Sequence, residues 1–306
     1  MSARTDEPFG VRTTYRVGGS TALWLEAADE DALAAVHAAL QEVGEPVPLL
    51  VLGKGSNLLV ADGGFPGLVL SLGPGFAWVE VEDLVVRAGA ATGFPVVARK
   101  SVGAGLRGLE WAVGVPGSVG GALRMNAGGH GADTASVLQG FRAFDLASGE
   151  VCECRGEELG ARYRHSALGP AHVVISAAFS LTVGDGAQAR AALAEIVRWR
   201  RRNQPGGSNA GSVFTNPEEG AAGLLIEQAG LKGLRLGSAQ VSPKHANFIQ
   251  ADEGGSADDV RRLIDHVRVV VAERTGVRLV PELRMVGFPD TPPPMVQTSL
   301  STGGPQ

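Results

Sequence analysis

The chain has 306 residues, 44% of them hydrophobic and 19% charged, which suits two or three compact units rather than one minimal domain. Its net charge of −5 excludes a broad electrostatic grip on nucleic acid, though not a local basic pocket for a small anion. No apolar run approaches a membrane span of roughly 18 residues, MSARTDEPFG has no signal-peptide pattern, and two cysteines, Cys152 and Cys154, fit a reducing cytoplasm better than a disulfide scaffold.

Residues 20–75 read as strand, helix, strand, turn and strand. Asp29 caps a predicted helix from Glu30 to Val43, with Leu33, Val36 and Leu40 on one face and Gly44 as its stop. PLLVLG (48–53) is a short buried-strand pattern, and a further turn is placed at Gly63-Gly64. WVEVEDLVVRAGA (78–90) predicts a hairpin hinged at Glu82-Asp83. Residues 93–103 read as helix, and 137–182 return to strand texture. A helix over 187–202 presents Leu193, Ile196 and Val197, and a short one runs from about 221 to 229. Ser256 opens another helix, with Asp259 at the capping-box position and Val260, Leu263, Ile264, Val267 and Val271 as its stripe. VRLVPELRMVG (277–287) reads as a final strand, and the Pro/Ser/Thr/Gly-rich residues 289–306 as a disordered tail.

Glycine marks where chemistry is to be sought. Forty-four of 306 residues is about 14%, twice the usual share of about 7%, and the glycines cluster. Gly53-Lys54-Gly55-Ser56-Asn57-Leu58 follows a strand, and successive amides in such a turn make a nest for a pyrophosphate. It is neither a Walker A loop nor GxGxxG, and a ligand-free turn is the competing reading. Gly114-Val115-Pro116-Gly117-Ser118-Val119-Gly120-Gly121, followed by Asn126, leaves bare backbone against which a flat cofactor could lie; close helix–sheet packing explains it equally well. Three smaller signals read alone as ordinary surface or turn chemistry: Tyr163-Arg164, Ser212 in Gly211-Ser212-Val213-Phe214, and Glu282 in an apolar strand. His245 is a candidate polar contact, and Asn216 follows the Ser212 turn. No HExxH or Cys/His cluster supports a metal site.

Taken jointly, YRVGG (15–19), LGKGSNLLVAD (52–62), GLEWAVGVPGSVGGALRMNAGGHG (108–131), RYRHS (162–166), RRNQP (201–205), AGSVFTNP (210–217), IEQAGLKG (226–233), VSPKHANFI (241–249) and PELRMVG (281–287) resemble the UDP-N-acetylenolpyruvoylglucosamine reductase (MurB) family of peptidoglycan synthesis. The resemblance covers about residues 12–288. It implies an α+β chain with an FAD-binding fold of the vanillyl-alcohol-oxidase (PCMH) type in two subdomains, 1–74 and 75–186, and a C-terminal α+β substrate-binding domain over 187–288. The strand near 278–287 is expected to return to the flavin site.

The implied reaction takes hydride from NADPH to N5 of FAD and then to C3 of the enolpyruvyl ether of a UDP-sugar, giving UDP-N-acetylmuramate. Arg164, Ser212 and Glu282 match the family's catalytic arginine, proton donor to C2 and glutamate. Gly53, Lys54, Gly55, Ser56, Asn57 and Leu58, with Gly114, Val115, Pro116, Gly117, Ser118, Gly120, Gly121 and Asn126, are implied to hold FAD. Tyr163, Asn216 and His245 are implied contacts to the UDP-sugar. The family context adds a cytoplasmic monomer serving cell-wall synthesis, with no nucleic-acid or membrane partner. Thr215 departs from the family's usual lysine, and the chain is too short for one subtype's substrate-capping insertion. The rival reading is another FAD-dependent oxidase or dehydrogenase of hydroxy acids or sugars, which explains the glycine loops but not Ser212 and Glu282.

Overall fold

Strand β1 (Ser2–Pro8) opens the computed structural model, which describes residues 2–296, and pairs antiparallel with β2 (Ser20–Ala27). The sequence reading has no counterpart for β1, because its residues are polar, nearly all exposed and held by backbone pairing. Helix α1 (Glu30–Val43) starts where the Asp29 carboxylate accepts the Ala32 N–H at 2.9 Å and stops at Gly44, φ +70°. Its Leu33, Val36 and Leu40 are buried, as the periodicity requires. Then come β3 (Val47–Leu52), β4 (Leu58–Val60) and β5 (Phe65–Leu72). β2 and β3 both lie parallel to β5, so α1 serves as the crossover that parallel pairing demands.

A second, antiparallel sheet follows. The hairpin of β6 (Val79–Glu82) and β7 (Val85–Gly89) turns at Asp83 and Leu84. Helix α2 (Phe94–Gly103), β8 (Leu106–Arg107), α3 (Val119–Arg124), β9 (Gly128–Gly129) and β10 (Ala132–Asp133) come next. They lead to β11 (Leu138–Asp145), β12 (Val151–Arg155), β13 (His172–Ser180) and β14 (Thr182–Val183). The spatial order is β12-β11-β13-β7-β6. Phe94 anchors its core, edge-on to Trp111 at 5.5 Å and tilted against Phe179 at 5.7 Å.

Helix α4 (Gly186–Asn203) lays Leu193, Ile196 and Val197 on that core. Helix α5 (Ala222–Gln228), the small sheet of β15 (Arg235–Leu236), β16 (Ala239–Val241) and β17 (Ile249–Ala251), and helix α6 (Ala257–Thr275) build the last layer. All five residues of the α6 stripe are buried, and they share one core with Tyr15 and Leu59. The Asp62 carboxylate accepts the Ala257 N–H at 2.8 Å and the Asp258 N–H at 3.2 Å. The start of α6 is thereby tied to the first sheet region.

Two expectations need correction. The final strand is only β18 (Arg284–Val286), paired parallel to β4, and not all of 277–287. Pro281 lacks an N–H, so the chain there runs instead along the Ser212 segment, bridging Phe214. The tail from 289 is also partly structured. β19 (Met295–Val296) adds antiparallel to β3, and the Pro294 carbonyl accepts the Leu49 N–H at 2.8 Å. One valine, 1% exposed, supplies the apolar anchor that composition conceals. Residues 297–306 of the expected tail lie outside the described residues. The α+β arrangement itself is as expected.

Candidate active site

Two glycine loops meet back to back. At the end of β3 a Cβ on Gly53 would stand 2.4 Å from the Ser118 Oγ, and one on Gly117 3.3 Å from the Ser56 Oγ. Gly55 has φ +60°, and a Cβ there would lie 2.8 Å from the Thr13 Cα, so only glycine fits without strain. Ser118 caps α3, its Oγ accepting the Gly121 N–H at 3.4 Å.

Beside these loops lies a cleft of about 890 Å³, part of it open to solvent. Its walls include Gly53, Lys54, Ser118, Gly120 and Gly121, with Leu50, Leu52, Ala90, Ala91 and Val174 as apolar surface. Arg124 and His172 also line it, and sequence reading missed both. Arg124 is half-buried, and both burial and the nearby positive charge of Arg284 pull its pKa down. Lys54 and Arg124 both line the cleft, and positive charge there favours an anionic occupant.

The second focus is Glu282. Its N–H donates to the Val213 carbonyl at 2.8 Å, and its carbonyl accepts the Asn57 Nδ2 at 3.1 Å. Its carboxylate meets the Arg164 Nε at 3.0 Å, with the side chains 18% and 22% exposed. Arg164 also donates to the Gly128 carbonyl at 2.9 Å. It sits in a tight turn with φ +55°, closed by the Arg162 and His165 backbones. Burial pushes the Glu282 carboxyl above its ordinary value, although Arg164 pulls the other way. Ser212, half-buried, immediately precedes Val213. Residues far apart in the chain thus converge: Asn57 of the first glycine loop, Arg164, the Ser212 turn and Glu282.

Known proteins resemble this chain in sequence and fold. Residues 21–155 match the FAD binding domain family, and residues 203–286 match the family described as UDP-N-acetylenolpyruvoylglucosamine reductase, C-terminal domain. A UDP-N-acetylenolpyruvoylglucosamine reductase of Rubrobacter xylanophilus is 43% identical over 294 residues, covering 94% of this chain and 96% of its own. One from Heliobacterium modesticaldum is 42% identical over 284 residues, covering 92% and 90%. The crystal structure of the Thermus caldophilus enzyme is 33% identical, with a TM-score of 0.79 over 93% of this chain and 98% of that one. The chain belongs to the UDP-N-acetylenolpyruvoylglucosamine reductase family.

Within this reductase family chain, the expected residues separate by position. Gly53, Lys54, Ser118, Gly120 and Gly121 line the cleft, with Gly55, Ser56, Asn57 and Gly117 in the adjoining turns. Gly114 does not: it packs on α4, and its carbonyl accepts from Arg200. Val115 is drawn to the second core, Pro116 is exposed, and Leu58 is buried inside β4. Asn126 is buried with both ends of its amide engaged: Nδ2 donates to Asp133 and to the Arg162 carbonyl at 3.0 Å each, and Oδ1 accepts the Ala135 N–H. It braces the Arg164 turn and is not among the residues lining the cleft.

None of the expected sugar contacts is among the residues lining that cleft. Asn216 Oδ1 accepts the Ala222 N–H at the start of α5 at 3.0 Å, leaving Nδ2 available. Tyr163 is 60% exposed, with its ring 5.1 Å from the Arg164 Cζ. His245 is stacked edge-on to Phe248, its Nδ1 buried without a partner, and burial lowers its pKa. Sequence reading also missed Asn247. Buried, it accepts the Phe214 N–H at 3.0 Å and donates to the Phe214 carbonyl at 2.8 Å, fixing the Ser212 turn. Its one signal was an asparagine between apolar neighbours in Ala246-Asn247-Phe248.

Proposed function

We propose that this chain reduces UDP-N-acetylenolpyruvoylglucosamine to UDP-N-acetylmuramate, with NADPH as reductant. The observation that carries the reading is the Arg164–Glu282 pair, 3.0 Å apart and locked by Val213 and Asn57 beside Ser212.

The residues fit FAD. The glycine cradle, which a Cβ at Gly53 would fill, leaves amides free to meet a pyrophosphate, and the aliphatic walls suit a flat ring. Lys54 and Arg124 supply positive charge in an otherwise acidic chain. When bound, FAD supplies two-electron redox chemistry between the nicotinamide and the enolpyruvyl double bond.

The chain's own side chains then have distinct tasks. Arg164, whose planar fork matches a carboxylate, stabilises negative charge that develops in the substrate's carboxylate. Glu282 orients that guanidinium, and burial raises its affinity for a proton against the pull of Arg164. Ser212 delivers one proton to C2, where a basic carbanion-like centre makes even a hydroxyl an adequate donor. Asn247 holds the turn that aims it. Asn216 Nδ2, Tyr163 and His245 are assigned to the UDP-sugar. The reading places the enzyme in the cytoplasm as a monomer.

The test is anaerobic mixing of the purified protein, first with NADPH and then with the enolpyruvyl UDP-sugar. The yellow colour is expected to bleach and then return, with UDP-N-acetylmuramate as product. A flavin that NADPH bleaches but this substrate fails to restore overturns the reading in favour of another flavin-dependent oxidase or dehydrogenase.

A further inference from the structure

Cys152 and Cys154 are the only cysteines of the chain, and the proposed reaction uses neither. Both lie on β12, the edge strand of the antiparallel sheet. Residues two apart on a strand project from the same face, and the two Sγ atoms are 3.2 Å apart. The register sets which face. Cys152 opposes Ala143 and Cys154 opposes Phe141, and both partners are buried. The thiols therefore sit at the rim of the second core, Cys152 exposed and Cys154 half-buried. Glu153 between them pairs instead with Arg142 at 3.6 Å.

We propose that Cys152 and Cys154 are a reversible dithiol–disulfide pair that exchanges with low-molecular-weight disulfides. The exposed Cys152 thiolate attacks one sulfur of the small disulfide, forming a mixed disulfide and expelling one small thiolate. Cys154 then loses its proton and attacks the Cys152 sulfur. The intramolecular S–S bond forms, and the second small thiol leaves. Two electrons pass from the protein to the small disulfide, and the two cysteine protons end on the two released thiols.

Position divides the labour. Burial, together with Cys152 and Glu158, raises the Cys154 thiol to about 11. Cys152 is therefore the entry point and Cys154 the resolving group. A neutral disulfide also suits the core rim better than a thiolate. Strand residues two apart have Cα atoms about 6.8 Å apart, the upper end of disulfide spacing. Closure must draw β12 together, which an edge strand paired on one side absorbs by local bulging. A bond closed at that limit stays open to reduction, which makes the pair reversible. A cation site is disfavoured, because among the described residues no group of three His, Cys, Asp or Glu side chains converges.

The test uses the full-length holoenzyme with glutathione disulfide as probe, acid quenching, alkylation and intact-mass measurement. Wild type is expected to lose two hydrogens, retain no glutathione, resist alkylation at both cysteines and revert with reduced glutathione. Cys154→Ser is expected to trap one glutathione on Cys152. Stable glutathione adducts on wild type overturn the proposal. So do two thiols that remain alkylatable throughout, or a Cys154→Ser variant that takes up no glutathione.

Discussion

Opposing forces act on the carboxyl of Glu282. Burial favours its protonated form, the Arg164 guanidinium favours the ion, and burial prevails. A carboxyl whose folded pKa is raised binds its proton more tightly in the native state. Its contribution to stability is complete below the ordinary carboxylate value and declines as pH rises through the folded value. Glu282→Gln is expected to flatten the fall of the thermal midpoint with pH over that window and to slow turnover about 100-fold. A pH–stability curve that superimposes on wild type would show the proton to be held elsewhere. Ser212→Ala separates the two half-reactions. Bleaching by NADPH is expected at the wild-type rate, and return of colour with substrate to slow by about two to four orders of magnitude. Equal slowing of both steps in stopped-flow traces would remove Ser212 from proton delivery.

Five of the six α-helices among the described residues were legible at the level of single elements because their signals are local, whereas α3 (Val119–Arg124) was hidden in a glycine-rich run. Asp29 and Gly44 bracket α1, and Ser256 and Gly276 bracket α6, each reading as a cap within one turn of chain. Strand ends were less legible. Nothing near Val296 announces a partner, since its pairing depends on the free edge of β3. Glu282 read alone as a bystander for the same reason: its partner Arg164 belongs to a distant turn. The glycine loops were visible as composition, but only the fold separates Gly53, which the Ser118 hydroxyl crowds, from Gly114, which faces α4. Gly55→Ala is expected to cost about 1–3 kcal/mol in denaturant unfolding, through its positive φ and the approach to Thr13. It should weaken retention of flavin in parallel. Val296→Asp, which places a charge in the first core, should cost about 2–4 kcal/mol without altering the catalytic half-reactions. Full stability in that variant would mean that β19 contributes nothing to the sheet.

At the level of the whole molecule, no one region owns the site. Asn57 comes from the first sheet region, Arg164 from the connection between β12 and β13 of the second sheet, and Ser212 and Glu282 from the last layer. Asp62 fastens the start of α6 to the first region, so the layers are registered away from the chemistry as well as at it. The parallel pairing of β18 with β4 places a late segment beside an early one. During translation, therefore, the early lobe must wait with β4 lacking that neighbour while most of the polypeptide is still being made. The pairing of Arg164 with Glu282 likewise has to await synthesis of the last layer.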